Sequence, residues 1–239
     1  MGNKFLLKKS VLFFGQKGCK NSSEALLFLK SLGCSVLPFF GGQRNDSFEE
    51  KNIDWEGDFI FSYRCYWRIP IQTINNAKIA AINFHPGTPD YPGSGAYCWA
   101  LYDKKDAFGV TVHLMNEKID NGKILEVSRF KMDETYDLRE LIDKTYQFSL
   151  EVFKTFLTNL DNASNIEVRD FFSKDAADNW AGKANKISDL ERMKDLTSDL
   201  SFSEFQRRIR SFHLPNYPIR LKHHGQTFQL SKEKGCNKK

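Results

Sequence analysis

Three polar side chains are spaced so that an amide, an imidazole and a carboxylate can serve one reacting centre: Asn83, His85 and Asp120. Asn83 and His85 are two residues apart, so on an extended backbone both point the same way. The run Lys78-Ile79-Ala80-Ala81-Ile82 before them is short and apolar, and reads as a buried strand. In an open α/β sheet, sites form beyond the carboxyl ends of such strands. An imidazole can take a proton from an amine or donate one to an oxyanion. An amide N–H can hold that oxyanion, and a carboxylate can fix the imidazole tautomer and pass a proton. Singly, each residue is an ordinary strand-end or turn residue, and Asp120-Asn121-Gly122 alone is a turn signal. No metal-ligand spacing accompanies them: there is no HExxH, and His223 and His224 are adjacent in a basic turn.

The elements that must position these groups follow an α/β pattern. Ser10-Val11-Leu12-Phe13-Phe14 reads as a first strand. The following Gly15 to Ser22 has neither Walker A nor GxGxxG spacing, so it reads as a strand-to-helix turn. Asn21, Ser22 or Ser23 is a candidate helix cap, Leu26 to Leu29 a broad buried stripe, and Gly33 the stop. Cys34 to Leu37 begins a second strand. Gly41 to Gly57 is polar and acidic, and is expected to hold a loop and a short helix. Asp58 to Tyr63 is a third strand with an aromatic exit. A turn or short helix over 71–77 precedes the Asn83 strand. The loop after His85 carries Pro86, Gly87, Pro89, Pro92, Gly93 and Gly95, a shaped wall rather than a floppy linker. Ser94 is placed to cap a helix through Tyr97, Trp99, Leu101 and Tyr102. Phe108 to Met115 and Ile124 to Phe130 read as neighbouring strands, with His113 as a core residue or one behind the site. Helical spacing runs from Thr135 to Leu160. Asn159 to Asn165 looks like a boundary. Beyond it lie a capping-box pattern at Ser201-x-x-Glu204 and a hairpin over Ile219 to Leu230, turning at His224-Gly225.

The ordered set Asn83-x-His85-Pro86, then Gly109-Val110-Thr111-Val112-His113-Leu114-Met115-Asn116, then Ile119-Asp120-x-Gly122-x-Ile124 resembles the formyltransferases that use N10-formyltetrahydrofolate. Within them it is most similar to the sugar N-formyltransferases, which formylate the amino group of a nucleotide-linked amino sugar. The likeness covers about residues 1–160 as architecture and is motif-specific from Phe59 to Ile124. It implies an α/β fold: a Rossmann-like formyltransferase core over 1–160, with a mostly parallel sheet and helices on both faces. A small C-terminal α+β unit with a hairpin would fill 161–239. It implies Asn83, His85 and Asp120 as catalytic residues. Trp67, Ile69, Met115, Asn116 and Glu117 would lie against N10-formyltetrahydrofolate, the co-substrate. Pro89, Tyr91, Gly93 and Ser94 would face the nucleotide sugar, with Arg210 near phosphate and Tyr217 over the base. The acceptor it suggests is dTDP-4-amino-4,6-dideoxyglucose, formylated for surface polysaccharide such as lipopolysaccharide O-antigen. No metal, nucleic acid or membrane partner is implied.

Composition agrees with an enzyme of this size. The 239 residues can hold one large domain, or a core with an appendage, and 41% are hydrophobic with 21 Phe. Five scattered cysteines without a CxxC pair argue against a disulfide framework or zinc ribbon, and point to reduced thiols in a cytoplasm. No apolar run approaches a membrane span, and Val11 to Phe14 is too short for a signal-peptide core. The net charge of +5 is uneven: residues 201–239 hold nine Lys and Arg against Glu204 and Glu233. That stretch can serve RNA, a pyrophosphate, or solubility alone. The C-terminal unit is also a candidate homodimer contact. Two other acceptors compete, glycinamide ribonucleotide and the charged initiator tRNA. The purine enzyme shows Ser-Leu-Leu-Pro after His-Pro where this chain has Gly87-Thr88-Pro89, and the tRNA enzyme resembles a longer chain. A non-catalytic nucleotide- or RNA-binding module is the third reading; the intact set Asn83, His85 and Asp120 counts against it.

Overall fold

The computed structural model describes residues 4–42, 55–174 and 176–230. The acidic loop and short helix expected between Gly41 and Gly57 lie, over 43–54, outside the described residues. So do Cys236 and the C-terminal Lys232, Lys234, Lys238 and Lys239.

Strand β1 (Ser10–Gln16) has its apolar run Val11 to Phe14 fully buried, and both its edges are occupied. It pairs in parallel with β2 (Ser35–Gly41) and with β3 (Gly57–Tyr63), and β3 pairs in parallel with β4 (Ala77–His85). Two antiparallel strands, β5 (Ala107–Leu114) and β6 (Ile124–Lys131), extend the sheet to six in the order β2-β1-β3-β4-β5-β6. The sheet is mostly parallel and Rossmann-like, as expected.

Parity along the strands divides its two faces. Phe59, Phe61 and Tyr63 of β3, Ile82 and Phe84 of β4, and Val110 and Val112 of β5 face one core. There α1 (Lys20–Ser31) and α4 (Leu138–Asn162) cover them, with Phe153 meeting the rings of Phe84 and Tyr63 at 4.7 and 5.1 Å. The opposite face carries Leu12, Phe14, Ile60 and Ala81, covered by the single turn of α2 (Ile71–Ile74) and by Ile69. Asn83 and His85 continue the Ala81 row, so they stand on this second face.

The capping chemistry departs from expectation at both early helices. Cys19, not Asn21, Ser22 or Ser23, caps α1: its Sγ accepts from Ser22 N, while Ser22 Oγ accepts from Gln16 N. The apolar stripe is also narrower than Leu26 to Leu29. Ala25 and Leu29 are buried, but Leu27, on the outer side of the turn, is 64% exposed. Helix α3 (Ala96–Tyr102) starts from Gly95 in a left-handed conformation (φ 79°), so Ser94 lies one residue ahead of the cap position; its backbone N–H donates to Asn185 O and its carbonyl accepts from Trp99 Nε1. Helix α4 carries a complete capping box between Asp137 and Glu140, both bonds 2.8 Å. Asp137→Ala is expected to cost about 1 kcal/mol in urea unfolding; an unchanged midpoint would show that packing alone holds this end.

Helix α5 (Asn165–Ser173) returns Val168 to the main core. A second core joins Leu190 of α6 (Ile187–Lys194), Leu196 of β7 (Asp195–Thr197), Phe212 of α7 (Phe202–Phe212) and Ile219, just before β8 (Arg220–His223). With β9 (Gln226–Gln229), these strands form a small sheet in the order β7-β8-β9. The hairpin turns at His224 and Gly225, both with positive φ, as a two-residue turn of this hand requires. Ser201 caps α7 as the sequence suggests, but Glu204 does not close the box. Its carboxylate accepts from Tyr102 Oη at 2.8 Å and from Arg208. Among the described residues no helix is long and apolar enough to cross a membrane.

Candidate active site

Strand pairing builds the site. Antiparallel β5 sets His113 opposite Asn83 and Thr111 opposite His85. Odd positions of both strands therefore make one polar patch, back to back with the aromatic core. Thr111 Oγ1 donates to Gly87 O at 2.7 Å, tying the loop after His85 to the sheet. Asp120 enters from the turn between β5 and β6 with a positive φ of 43°. Its Oδ2 accepts from His85 Nδ1 (3.1 Å) and from Gly93 N (2.8 Å), and its Oδ1 accepts from Asn83 Nδ2 at 3.4 Å. Asn83, His85 and Asp120 thus meet around one carboxylate.

Proton positions follow from the partners. His113 Nδ1 faces the Leu114 carbonyl at 2.8 Å and must donate to it. Its Nε2 lies 3.1 Å from Asn83 Nδ2 and 3.3 Å from Asp120 Oδ1, so it shares the carboxylate with Asn83. Both N–H bonds of Asn83 are turned inward, so offering one to an oxyanion means trading away the long bond to Asp120. In His85, Nδ1 faces Asp120 and Nε2 faces the Tyr91 carbonyl at 3.1 Å. Both nitrogens face acceptors, an arrangement that favours the imidazolium. Burial pulls its pKa down, but the Asp120 charge and hydrogen bonds to Asp120 and Tyr91 outweigh this and raise it above the ordinary 6.5. Burial likewise opposes ionisation of Asp120, yet His85 and His113 hold it well below the usual carboxylate range.

These opposite shifts set a stability window. His85, raised in the fold, contributes stability that is whole below pH 6.5 and is lost as pH climbs through its higher folded value. Asp120, lowered in the fold, contributes stability present above pH 3.8 and lost as pH falls through its lower folded value. Calorimetry is expected to show the melting temperature falling on the alkaline side of 6.5, and His85→Gln should flatten that limb. Parallel limbs in the two proteins would dissociate the pair from stability.

The other expected site residues separate into groups. Trp67, Ile69 and Met115 share the apolar cluster on the Asn83 face, and Met115 N donates to Ala81 O at 2.8 Å. The Trp67 ring lies so close over Gly41 that a Cβ there would be 2.9 Å from it. Asn116 and Glu117 are exposed on the adjoining rim, which Arg68 joins to the β3 exit by donating to Glu117 O at 2.9 Å. Pro89, Tyr91, Gly93 and Ser94 line the loop beside His85. Tyr91 is anchored by its hydroxyl to Asp103 at 2.7 Å. Arg210 is committed elsewhere: its guanidinium donates to the carbonyls of Tyr136 (2.8 Å) and Glu134 (2.6 Å), pinning α7 to the turn before α4. Tyr217 is 51% exposed on the C-terminal unit, with Lys194 over its ring.

Two neighbours of the cluster were not singled out as site residues. His113 is legible after the fact, because Gly109, Thr111 and His113 alternate with Phe108, Val110 and Val112. Trp180 carries no such signal. Its ring meets those of His85 and His113 edge-on, at 5.8 and 5.0 Å, and its Nε1 donates to Gly122 O at 2.7 Å. Among the described residues no group of three or more His, Cys, Asp or Glu could hold a metal ion.

Residues 41–157 match the formyl transferase family. The chain is 32% identical to the bifunctional polymyxin resistance protein ArnA of Wigglesworthia glossinidia brevipalpis over 193 residues, 72% of this chain and 29% of that one. It is 30% identical to a methionyl-tRNA formyltransferase of Lachnospira eligens over 102 residues, 42% of this chain and 32% of the relative. It thus spans about a third of the length of the curated relatives it matches. An N-formyltransferase from Helicobacter canadensis, solved with folinic acid and dTDP-3-aminofucose, shares the fold with a TM-score of 0.67 at 16% identity, over 92% of this chain and 85% of that one.

Proposed function

We propose, for a chain whose residues 41–157 are a formyl transferase domain, that it moves a formyl group from N10-formyltetrahydrofolate to the amino group of a nucleotide-linked amino sugar. One observation carries the reading: Asn83 and Asp120, 37 residues apart, come within 3.4 Å on the strand end where His85 also meets Asp120. The Helicobacter protein of the same fold was solved with a folate and a dTDP-linked amino sugar, which supports both substrate classes. The finer acceptor we favour is dTDP-4-amino-4,6-dideoxyglucose, formylated for surface polysaccharide.

The residues present fit a flat, apolar-faced donor. Trp67, Ile69 and Met115 form an apolar shelf on the face that bears Asn83, with the polar rim of Asn116 and Glu117 beside it. The donor supplies an activated one-carbon unit; the chain supplies alignment and proton control. Both His85 nitrogens face acceptors, Asp120 and the Tyr91 carbonyl, so we assign it first to stabilising negative charge and donating a proton, and only after deprotonation to accepting one. Asp120 keeps that imidazole charged and oriented. Asn83 offers an amide N–H to a developing oxyanion, a donor whose loss typically costs about 2.7–4 kcal/mol in the barrier. Holding both substrates in contact is worth about 7–11 kcal/mol when alignment is good.

A sugar acceptor is preferred over tRNA because several basic side chains near the C-terminus are already engaged. Arg208 pairs with Glu204, Arg220 with Asp195 and Glu191, and Lys222 with Asp195, while Arg207 stacks on Tyr102. The test is to incubate the protein with N10-formyltetrahydrofolate and a panel of thymidine- and uridine-linked amino sugars, and to look for a mass gain of one formyl group. Formylation of methionyl-tRNA or glycinamide ribonucleotide, with no gain on any sugar, overturns the proposal.

A further inference from the structure

The stretch between α5 and α6 is strapped across the site. Ala181 N donates to Pro89 O at 2.9 Å, Asn185 N to Pro92 O at 2.8 Å, and Ser94 N to Asn185 O at 2.9 Å. Gly93, whose N–H also reaches Asp120, pairs with Asn185 as an isolated parallel bridge. Arg129 and Asp178 form an ion pair at the other end of the strap. This brings Trp180 to the cluster from a part of the chain beyond residue 157, where the family match ends. Its role therefore cannot be read from that match.

The indole does three things at once. Its edge-on contacts with His85 and His113 limit the tilt of both imidazoles, at 68° and 90° between ring planes. Its N–H to the Gly122 carbonyl grips the same turn that carries Asp120. It also lines a cavity of about 380 Å³ with Asn121, Gly122 and Asp178. Removing the ring would join that cavity to the two histidines and admit water to the 3.1 Å contact between His85 and Asp120.

We propose that Trp180 is a positioning residue: it clamps His85 and His113 against Asp120 and keeps water from the contact, so that the C-terminal part of the chain completes the site. The turnover arm of its test rests on the formyl-transfer reading; the spectroscopic arm does not. Trp180→Phe keeps an aromatic edge and loses the N–H, whereas Trp180→Leu keeps apolarity and loses the ring with much of its volume. In proton NMR of the free protein, the His85 Nδ1–H signal, assigned by its loss in His85→Gln, is expected to persist in Trp180→Phe and to vanish by exchange in Trp180→Leu. On an accepted amine substrate, kcat should fall about 10-fold in Trp180→Leu, with KM for N10-formyltetrahydrofolate within about 2-fold, and Trp180→Phe should recover most of it. Leu and Phe variants that behave alike in the NMR measurement, both retaining the signal or both losing it, overturn the clamp. A protein that formylates no amine but shows the NMR difference refutes the formyl-transfer reading and leaves the clamp standing.

Discussion

Asp120→Asn is expected to lower turnover by about 10²–10⁴-fold, the range carried by a positioned acid–base group, while the chain stays folded. The carboxylate faces His85 Nδ1 and Gly93 N with one oxygen, and Asn83 Nδ2 and His113 Nε2 with the other. An amide of the same shape can keep only one oxygen as acceptor. If that oxygen serves Gly93 and His85, the new NH₂ group faces Asn83 Nδ2, donor against donor. The charge is lost as well. Burial, until then outweighed, becomes the leading influence on His85, so its pKa should drop below its wild-type position. Steady-state kinetics and an NMR titration of His85 read the two effects separately. Wild-type turnover together with an unmoved His85 titration would remove Asp120 from the mechanism. Asp120→Ala is a harsher change, leaving the Gly93 N–H and the buried His85 Nδ1 without their acceptor, and should cost about 1–3 kcal/mol of stability for each unsatisfied group.

What the sequence disclosed, and what it hid, follows the range of the forces involved. The alternation of β3, β4 and β5 is set by nearest neighbours, so the strands and the shared direction of Asn83 and His85 were readable. The meeting of both with Asp120 was suggested by resemblance to a known family, and the antiparallel placement of β5 is what brings it about. His113 was within reach: a polar residue at odd parity in a strand whose even residues are Phe108, Val110 and Val112 belongs on the polar face. Caps were less legible, because several side chains compete for the same orphan N–H groups. Cys19 won at α1, where Ser22 was already bonded to Gln16 N. Ser94 falls one residue before the cap at Gly95, on a backbone paired with Asn185, ninety-one residues away. Trp180 and Arg210 mark the limit. One is brought to the cluster and the other held at the turn before α4 by contacts between distant segments, and neither leaves a periodic trace. The division expected at residue 160 meets the same difficulty, since α5 packs Val168 on the main core while α6 and α7 build the second one.

Gly122→Ala should damage both stability and turnover, through the backbone rather than through any lost side chain. A Cβ at this position would lie 1.7 Å from Leu114 O and 2.8 Å from the Leu114 carbonyl carbon. Neither atom can swing aside, because Leu114 N is bonded to Lys123 O at 2.8 Å and the strand is held between β4 and β6. The turn must therefore lift off the end of β5, and Asp120 rides on it two residues earlier. Overpacking against backbone is expected to cost about 3 kcal/mol, and a displacement of about 1 Å at the carboxylate about 10²-fold in kcat. The shift would also pull Gly122 O from the Trp180 N–H. Gly182→Ala supplies the contrast: unlike Gly122 it has a positive φ, 75°, but a Cβ there meets nothing within 4 Å. Its cost should be conformational strain alone, about 1 kcal/mol. Urea midpoints and kcat for the two variants separate steric displacement from strain. Equal losses in both would mean that the approach of Gly122 to Leu114 does not set the position of Asp120.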